Sequence, residues 1–551
     1  MSHNTTASDP YLVSPDARRA EIDDQIRFFT EKIVALKVER NGLEPVHRMP
    51  TDILLRVFSH LQSCFDTVDY YQWTLVLQVC HYWREIASET SSLWHKILQI
   101  QPGSFDSEWA RISLIRSRNS PLDIEVHGST VRVDMDGILV ALSNFSRIRT
   151  LQVNISKDAQ IPQVSPSQVL DLISSFGTSA PLLEHIQMNR FLARFPTQEV
   201  ASLHLFNGIA PRLRIISITD SLVFQFHNLS LPSLVELTLE SLLEEPSRIP
   251  LDSIISLLRT TRVLSSLKLT NAFVVDGSSP SQIPVFLPRL SSLTISGTAE
   301  QCVALLSRIT VPRTTIMEVD FSDASLNQPG TLFDAVAKCF QSDPGPFHLL
   351  EFSCSPQTEG VVTLSFWEAD DDTASTSPSS VQLTGQLEGV DWFLLCQRAF
   401  PISELRSLSL CGEPSIPLDY GQFSSYPLLS HLKVAGPFIQ SFLNLLDQSP
   451  TVLPYLRILR LEYPEWAIYD PVHEFWDDPS VFKKICAVLK KRKDGPNGML
   501  EKLVVTQIDE RWLKDKKIDA AQELHGIVGE YVLLNERVDI YEYRGFSLFN
   551  R

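Results

Sequence analysis

One hydrophobic rhythm recurs along most of the chain: apolar-x-x-apolar-x-apolar, in which the last two apolar side chains share one face of a short strand. It reads Ile148/Leu151/Val153, Leu183/Ile186/Met188, Leu213/Ile216/Ile218, Leu234/Leu237/Leu239, Leu264/Leu267/Leu269 and Leu290/Leu293/Ile295. It continues as Ile316/Val319/Phe321, Leu349/Phe352/Cys354, Leu405/Leu408/Leu410, Leu429/Leu432/Val434, Leu456/Leu459/Leu461 and Leu500/Leu503/Val505. Most central positions follow one another at roughly 21 to 35 residues, with two longer gaps. Between the strands lie apolar helical faces such as Ile254, Ile255, Leu257 and Leu258, or Phe438, Phe442, Leu443, Leu445 and Leu446. A strand–helix unit of this size cannot bury its own apolar face, so the units must stack side by side. Prolines fall between a helix and the next strand, as in Gln448-Ser449-Pro450, where the missing N–H ends a helix.

The first hundred residues show a helical period instead. Residues 1–13 read as a disordered tail, and Ser14-Pro15 offers an N-cap and a first helical position. Ile22, Ile26, Phe29, Ile33 and Leu36 then alternate four- and three-residue steps over 14–44, the a/d rhythm of a coiled coil, until Arg40 interrupts it. Two readings stand: a weak dimerisation helix, or an amphipathic helix packed on a neighbouring domain of the chain. Next comes Met49-Pro50-Thr51-Asp52-Ile53-Leu54-Leu55-Arg56-Val57-Phe58-Ser59-His60-Leu61, with apolar residues along one helical face. Val79-Cys80-His81-Tyr82-Trp83-Arg84-Glu85-Ile86-Ala87 and Leu93-Trp94 close this segment. So small a helical unit is marginal on its own, and a partner protein is its natural cover.

These residues resemble the F-box, the module that joins substrate receptors to the Skp-type adaptor, and through it to cullin, in a ubiquitin ligase. The family pattern runs roughly Leu-Pro-x-Glu-Ile-Leu-x-x-Ile-Phe-x-x-Leu, then Val-Cys-Arg-x-Trp-Arg-x-Ile-Ala, then Leu-Trp. Met49, Asp52, Val57 and His81 are mild departures from it. The resemblance implies that Met49, Pro50, Ile53, Leu54, Val57, Phe58 and Leu61 bind the adaptor, while Val79, Trp83, Ile86 and Trp94 hold the module together. With the repeats behind it, the chain resembles the F-box/leucine-rich-repeat receptors common in filamentous and mushroom-forming fungi. The expected architecture is α/β: a short N-terminal helix, a three-helix F-box over 45–99, then a leucine-rich-repeat-like solenoid over 100–509, with a curved parallel sheet and outer helices. The expected function is the substrate-recognition subunit of an SCF-type E3 ubiquitin ligase. The alternative is a repeat scaffold with no ligase link.

Two segments break the rhythm. Val361-Val362-Thr363-Leu364-Ser365-Phe366-Trp367 and the apolar Val381, Leu383 and Leu387 flank a charged Ser/Thr tract, which predicts a β-hairpin inserted near 361–388. At the end, 510–551 reads as a cap, with a helix over Glu510–Leu534 followed by Tyr541, Tyr543, Phe546 and Phe549.

Composition narrows the functional classes. The net charge of −17 disfavours nucleic acid as the main partner, since each phosphate contact needs Lys or Arg. No apolar run suits a membrane span and the start lacks a secretory h-region, so the cytosol or nucleus is expected. The eight scattered cysteines, with no C-x-x-C pair, read as buried thiols. Nucleotide-binding glycine motifs, G-x-S-x-G and H-E-x-x-H are missing, so neither enzyme activity, cofactor nor metal is expected. Strand positions between the buried ones face outward on the sheet, and Lys433, Arg460 and Lys502 form a basic strip there that could dock an acidic or phosphorylated segment of an unknown protein substrate.

Overall fold

Turns with proline in their second position set the repeats of this chain in register. In Ala180-Pro181-Leu182-Leu183 the Leu183 N–H donates to the Ala180 carbonyl at 3.3 Å. The same closure recurs at Leu213, Leu234, Leu290, Leu429 and Leu456, after Pro211, Pro232, Pro288, Pro427 and Pro454. Proline pre-sets the φ that this turn position needs, and the strand begins at once. These six prolines therefore open strands, whereas the helix Phe438–Gln448 does stop just before Ser449, as the Gln448-Ser449-Pro450 sequence suggests.

The computed structural model describes residues 14–65, 70–99, 107–128, 135–155, 176–189, 205–219, 229–241, 249–275, 283–321, 329–341, 347–354, 361–367, 379–386, 392–400, 402–411, 423, 426–436, 438–449, 451–462, 479–506 and 519–534. The expected tail over 1–13 lies outside them, as do the aromatic residues Tyr541, Tyr543, Phe546 and Phe549. The chain divides into two compact units, Met1–Ser175 and Phe176–Arg551.

The first unit begins with helix α1 (Pro15–Gly42), which buries no side chain. The expected packing of an amphipathic helix on a neighbouring domain is not seen: the seam residues are exposed, and so are Phe28, Val34 and Val38 on the other side of the helix. Helices α2 (Thr51–Cys64), α3 (Val76–Val79) and α4 (His81–Glu89) come next. Strands β1 (Lys96–Gln99), β2 (Leu122–Gly128) and β3 (Ile148–Ile155) then pair in parallel.

The second unit is a large, mostly parallel sheet. Strands β4 (His185–Asn189), β5 (Ile215–Thr219), β6 (Glu236–Glu240), β7 (Ser266–Thr270), β8 (Ser292–Gly297) and β9 (Ile316–Phe321) pair in chain order, all parallel. The pairs Ile186/Met188, Leu237/Leu239 and Leu267/Leu269, with the leading Leu183, Leu234 and Leu264, are buried throughout. Helices Leu251–Leu258 and Phe438–Gln448 bury the apolar faces read from sequence, and Ala299–Leu306 buries Cys302, Leu305 and Leu306.

Register corrects two of the repeats. Leu293 lies opposite Met317 and Ile295 opposite Val319, so the repeat that read as Ile316/Val319/Phe321 is centred on Met317 and Val319, with Phe321 an extra buried residue. In β10 (Leu349–Cys354), Leu350 and Phe352 match Leu408 and Leu410 of β13 (Ser407–Cys411), and Phe347 takes the leading position read as Leu349.

The expected hairpin exists, but it does not hang off the sheet. Strands β11 (Val361–Trp367) and β12 (Val381–Gln386) are antiparallel to each other; β12 pairs in parallel with β9, and β11 pairs antiparallel with β10. The strand order is therefore β9-β12-β11-β10-β13, with β11 running against its neighbours. Phe366 of β11 explains the anchoring: its ring lies 4.8 Å from that of Phe400 and 5.3 Å from that of Phe347. The ladder continues in parallel through β14 (His431–Ala435), β15 (Ile458–Glu462), β16 (Leu500–Thr506) and β17 (Val528–Leu534).

Over the described residues 528–534, that last strand stands where the sequence predicted the end of a helix. Among the described residues 519–534, helix is confined to Ala520–Leu524, Gly526 adopts φ +67, and the β-favouring Val528, Tyr531 and Val532 form a strand. Residues 507–518 lie outside the described part. Among the described residues, no helix is long and apolar enough to cross a membrane, and no group of three or more His, Cys, Asp or Glu side chains could hold a metal ion.

Candidate functional site

Helix α2 starts because Pro50, at its N-cap, fixes φ at −55° and offers its carbonyl to the N–H groups of Ile53 and Leu54 at 3.0 and 3.2 Å. Pro50 thus precedes the first helical turn. Leu54, Phe58 and Gln62, at i, i+4 and i+8, face inward. Gln62 Nε2 donates to the Leu93 carbonyl at 2.6 Å, and Trp94 Nε1 donates to the Ala87 carbonyl at 2.7 Å, so the two ends of the segment are tied together. Trp73 and Trp94 meet edge to face at 5.1 Å, as do Phe58 and Trp83. The Arg116 guanidinium covers the Trp94 ring at 4.4 Å. Cys80 caps α4, its sulfur accepting from the Trp83 backbone N–H at 3.5 Å with His47 Nε2 at 3.3 Å.

This geometry redistributes the residues assigned by resemblance. Leu54 and Phe58, expected on the adaptor face, are 0% exposed and form the centre of the core with Trp73, Val76, Ile86, Ala87, Leu93 and Trp94. Met49 and Leu61 are partly buried against that core, as is Trp83. Val79, expected inside, is 58% exposed. Ile53 and Val57 are 39% and 47% exposed, and Pro50, Val46 and Leu75 are exposed too. The outward apolar set is therefore Val46, Pro50, Ile53 and Val57 with Leu75 and Val79. Leu75, which caps α3, and Val79, its last residue, were legible only as an i,i+4 pair about the buried Val76.

Residues 46–100 match the family model described as F-box-like. They form an F-box-like domain. F-box domains generally bind Skp-type adaptors, and the outward apolar set lies within this domain. No curated protein matches the chain.

The second candidate surface is the outward face of the sheet in the second unit. Register places Glu351, Ser409, Lys433 and Arg460 in one row across β10, β13, β14 and β15, whereas Lys502 lies opposite Ile458, two residues away along the strands. The three cations are not a free basic strip. Glu462, itself buried, pairs with Lys433 at 3.0 Å and with Arg460, and Lys502 pairs with Glu530 at 3.2 Å. A phosphate arriving there would have to displace Glu462 from both of its partners. Burial holds the Glu351 carboxyl above the usual Glu value, with Lys433 opposing and Glu462 adding to the shift. Burial likewise pushes the Cys411 thiol up to about 11 and the Cys302, Cys339 and Cys486 thiols up to about 12. Cys64 departs from the expectation of buried thiols, being exposed.

The face changes character along the ladder. Ser407, Ser409 and Ala435 are buried, whereas Glu236 and Lys268 are exposed and His185, Gln187, Thr238 and Glu318 half-buried. Outward strand positions are more accessible in β4–β9 than in β13.

Proposed function

We propose that this chain is the substrate-recognition subunit of an SCF-type E3 ubiquitin ligase. The F-box-like domain takes the Skp-type adaptor, and through it cullin, on Pro50, Ile53, Val57, Leu75 and Val79. The single observation that carries the reading is the coincidence of the F-box-like match with an outward apolar set that the domain's own core leaves uncovered. In this reading the second unit is a leucine-rich-repeat-like solenoid, and a target protein is held on the accessible strands β4–β9. The chain supplies proximity, not chemistry: a bound target is presented at high effective concentration to the ubiquitin-loaded enzyme. No residue of the chain acts as a catalyst, and it works in the cytosol or nucleus.

The test is co-purification with a Skp-type adaptor. Val57→Asp with Val79→Asp places two charges on exposed positions, so the domain keeps its fold while the interface loses two apolar anchors. Central anchors are worth about 2 kcal/mol or more each, so the adaptor should be lost entirely. Undiminished co-purification rejects the reading and leaves a repeat scaffold without a ligase link.

A further inference from the structure

Helix α1 is 28 residues long and buries none of them, yet its seam residues Ile22, Ile26, Phe29, Ile33 and Leu36 are each 41 to 59% exposed. A bare helix of this composition gains little from propensity alone, so the seam calls for a cover. We propose that α1 pairs in antiparallel orientation with α1 of a second copy of this chain.

Charge decides both the occupant and its direction. With Ile26 and Ile33 at a positions and Ile22, Phe29 and Leu36 at d, the remaining a positions are Arg19 and Arg40. A parallel pair sets Arg19 against Arg19 and Arg40 against Arg40. Its flanks bring Lys32 against Lys37 and Glu39 against Glu44. An antiparallel pair sets each a residue against a d residue instead. In the register that places Ile26 against the partner's Phe29 and Ile22 against the partner's Ile33, Arg19 meets the partner's Leu36 and lays its apolar stem along it. The flanks then bring Asp16 to the partner's Lys37 and Arg18 to the partner's Glu39, with no like-charged pair. Arg18 holds Glu21 at 2.6 Å in the single chain, an exposed pair that is readily shared. Because α1 leads directly into the F-box-like domain, this arrangement holds two such domains at opposite ends of a coil about 40 Å long.

The pairing is independent of the adaptor reading, since a chain carrying Val57→Asp and Val79→Asp should still dimerise. Sedimentation equilibrium on the full chain across the micromolar range should give the mass of a dimer. Ile26→Asp with Ile33→Asp should give a monomer of unchanged thermal stability, because neither side chain is buried. Glu39→Lys reverses two symmetric flanking pairs and should weaken the dimer about ten-fold, and Arg18→Glu added to it should restore the affinity. In a parallel pair Glu39→Lys would relieve repulsion from Glu44, so a tighter dimer overturns the proposal. A monomer at every concentration, a trimer or a tetramer overturns it as well.

Discussion

Glu351 shows how a single side chain reports the difference between an open and a covered strand face. Sequence places it outward, in the same row as Lys433 and Arg460. Its carboxyl stands above the ordinary value of 4.5 because burial penalises the charge. Below about pH 4.5 the group is protonated in folded and unfolded chains alike, and the burial costs nothing. As pH rises through the folded-state value, the native protein must carry a buried charge, and stability falls. Glu351→Gln removes that cost, so the variant should melt higher than wild type at pH 8, with the advantage shrinking to nothing as pH drops below the ordinary Glu value. A constant offset across that range would show that the effect is packing alone. The same scale explains why the F-box residues were only half legible. Helical spacing assigns Leu54, Val57 and Phe58 to one apolar stripe, but a stripe has a middle and an edge, and only packing against Trp73, Trp83 and Trp94 decides which is which. Leu54 and Phe58 take the middle, and Val57 is left at the edge.

At the scale of elements, the strands were legible wherever apolar residues repeat at the spacing of one turn and one strand. Leu183/Ile186/Met188 and Leu456/Leu459/Leu461 needed nothing beyond that pattern. The pattern failed at Ile316, where a continuous alternation from Met317 to Phe321 offers two registers two residues apart; the neighbouring strand chose between them. It failed again at the insertion, because pairing partners are not local properties. The segment over 361–388 reads as a hairpin in either case, and nothing in it says that it will separate two repeats. One residue does mark the junction. Gly385 lies opposite Phe321, and a methyl group there would meet the Phe321 ring at 2.3 Å. The ring occupies the space that a side chain on β12 would fill. Gly385→Ala should therefore destabilise the second unit by about 1–3 kcal/mol, read as a lower midpoint in urea. Phe321→Leu added to it should recover part of the loss, which a purely conformational effect of glycine would not allow.

For the whole molecule, the open end of the ladder sets a condition on stability. A parallel sheet that grows by repeats must end on an edge, and an uncovered edge offers a row of N–H and C=O groups to any passing chain. Here β16 is covered by β17, which reaches it from beyond the short helix Ala520–Leu524. The approach to this strand adds apolar burial as well: Leu524 of the short helix, Ile527, and Val528 at the start of β17 are buried, while Gly529 and Glu530 face solvent. The close approach is specific: a methyl group on Gly529 would stand 2.8 Å from the Glu501 carbonyl oxygen. A chain truncated after Thr506 keeps every repeat read from the sequence yet exposes Leu500–Thr506 as a bare edge carrying the apolar Leu503, Val504 and Val505. It should unfold at a lower temperature than the full chain and self-associate in proportion to its concentration, seen as rising light scattering before the melt. If the truncated chain stays monodisperse with an unchanged melting temperature, then β17 is dispensable and the ladder is closed by its repeats alone. The adaptor-binding test gives the control, because the truncation removes nothing from the first unit and should leave co-purification with the adaptor intact.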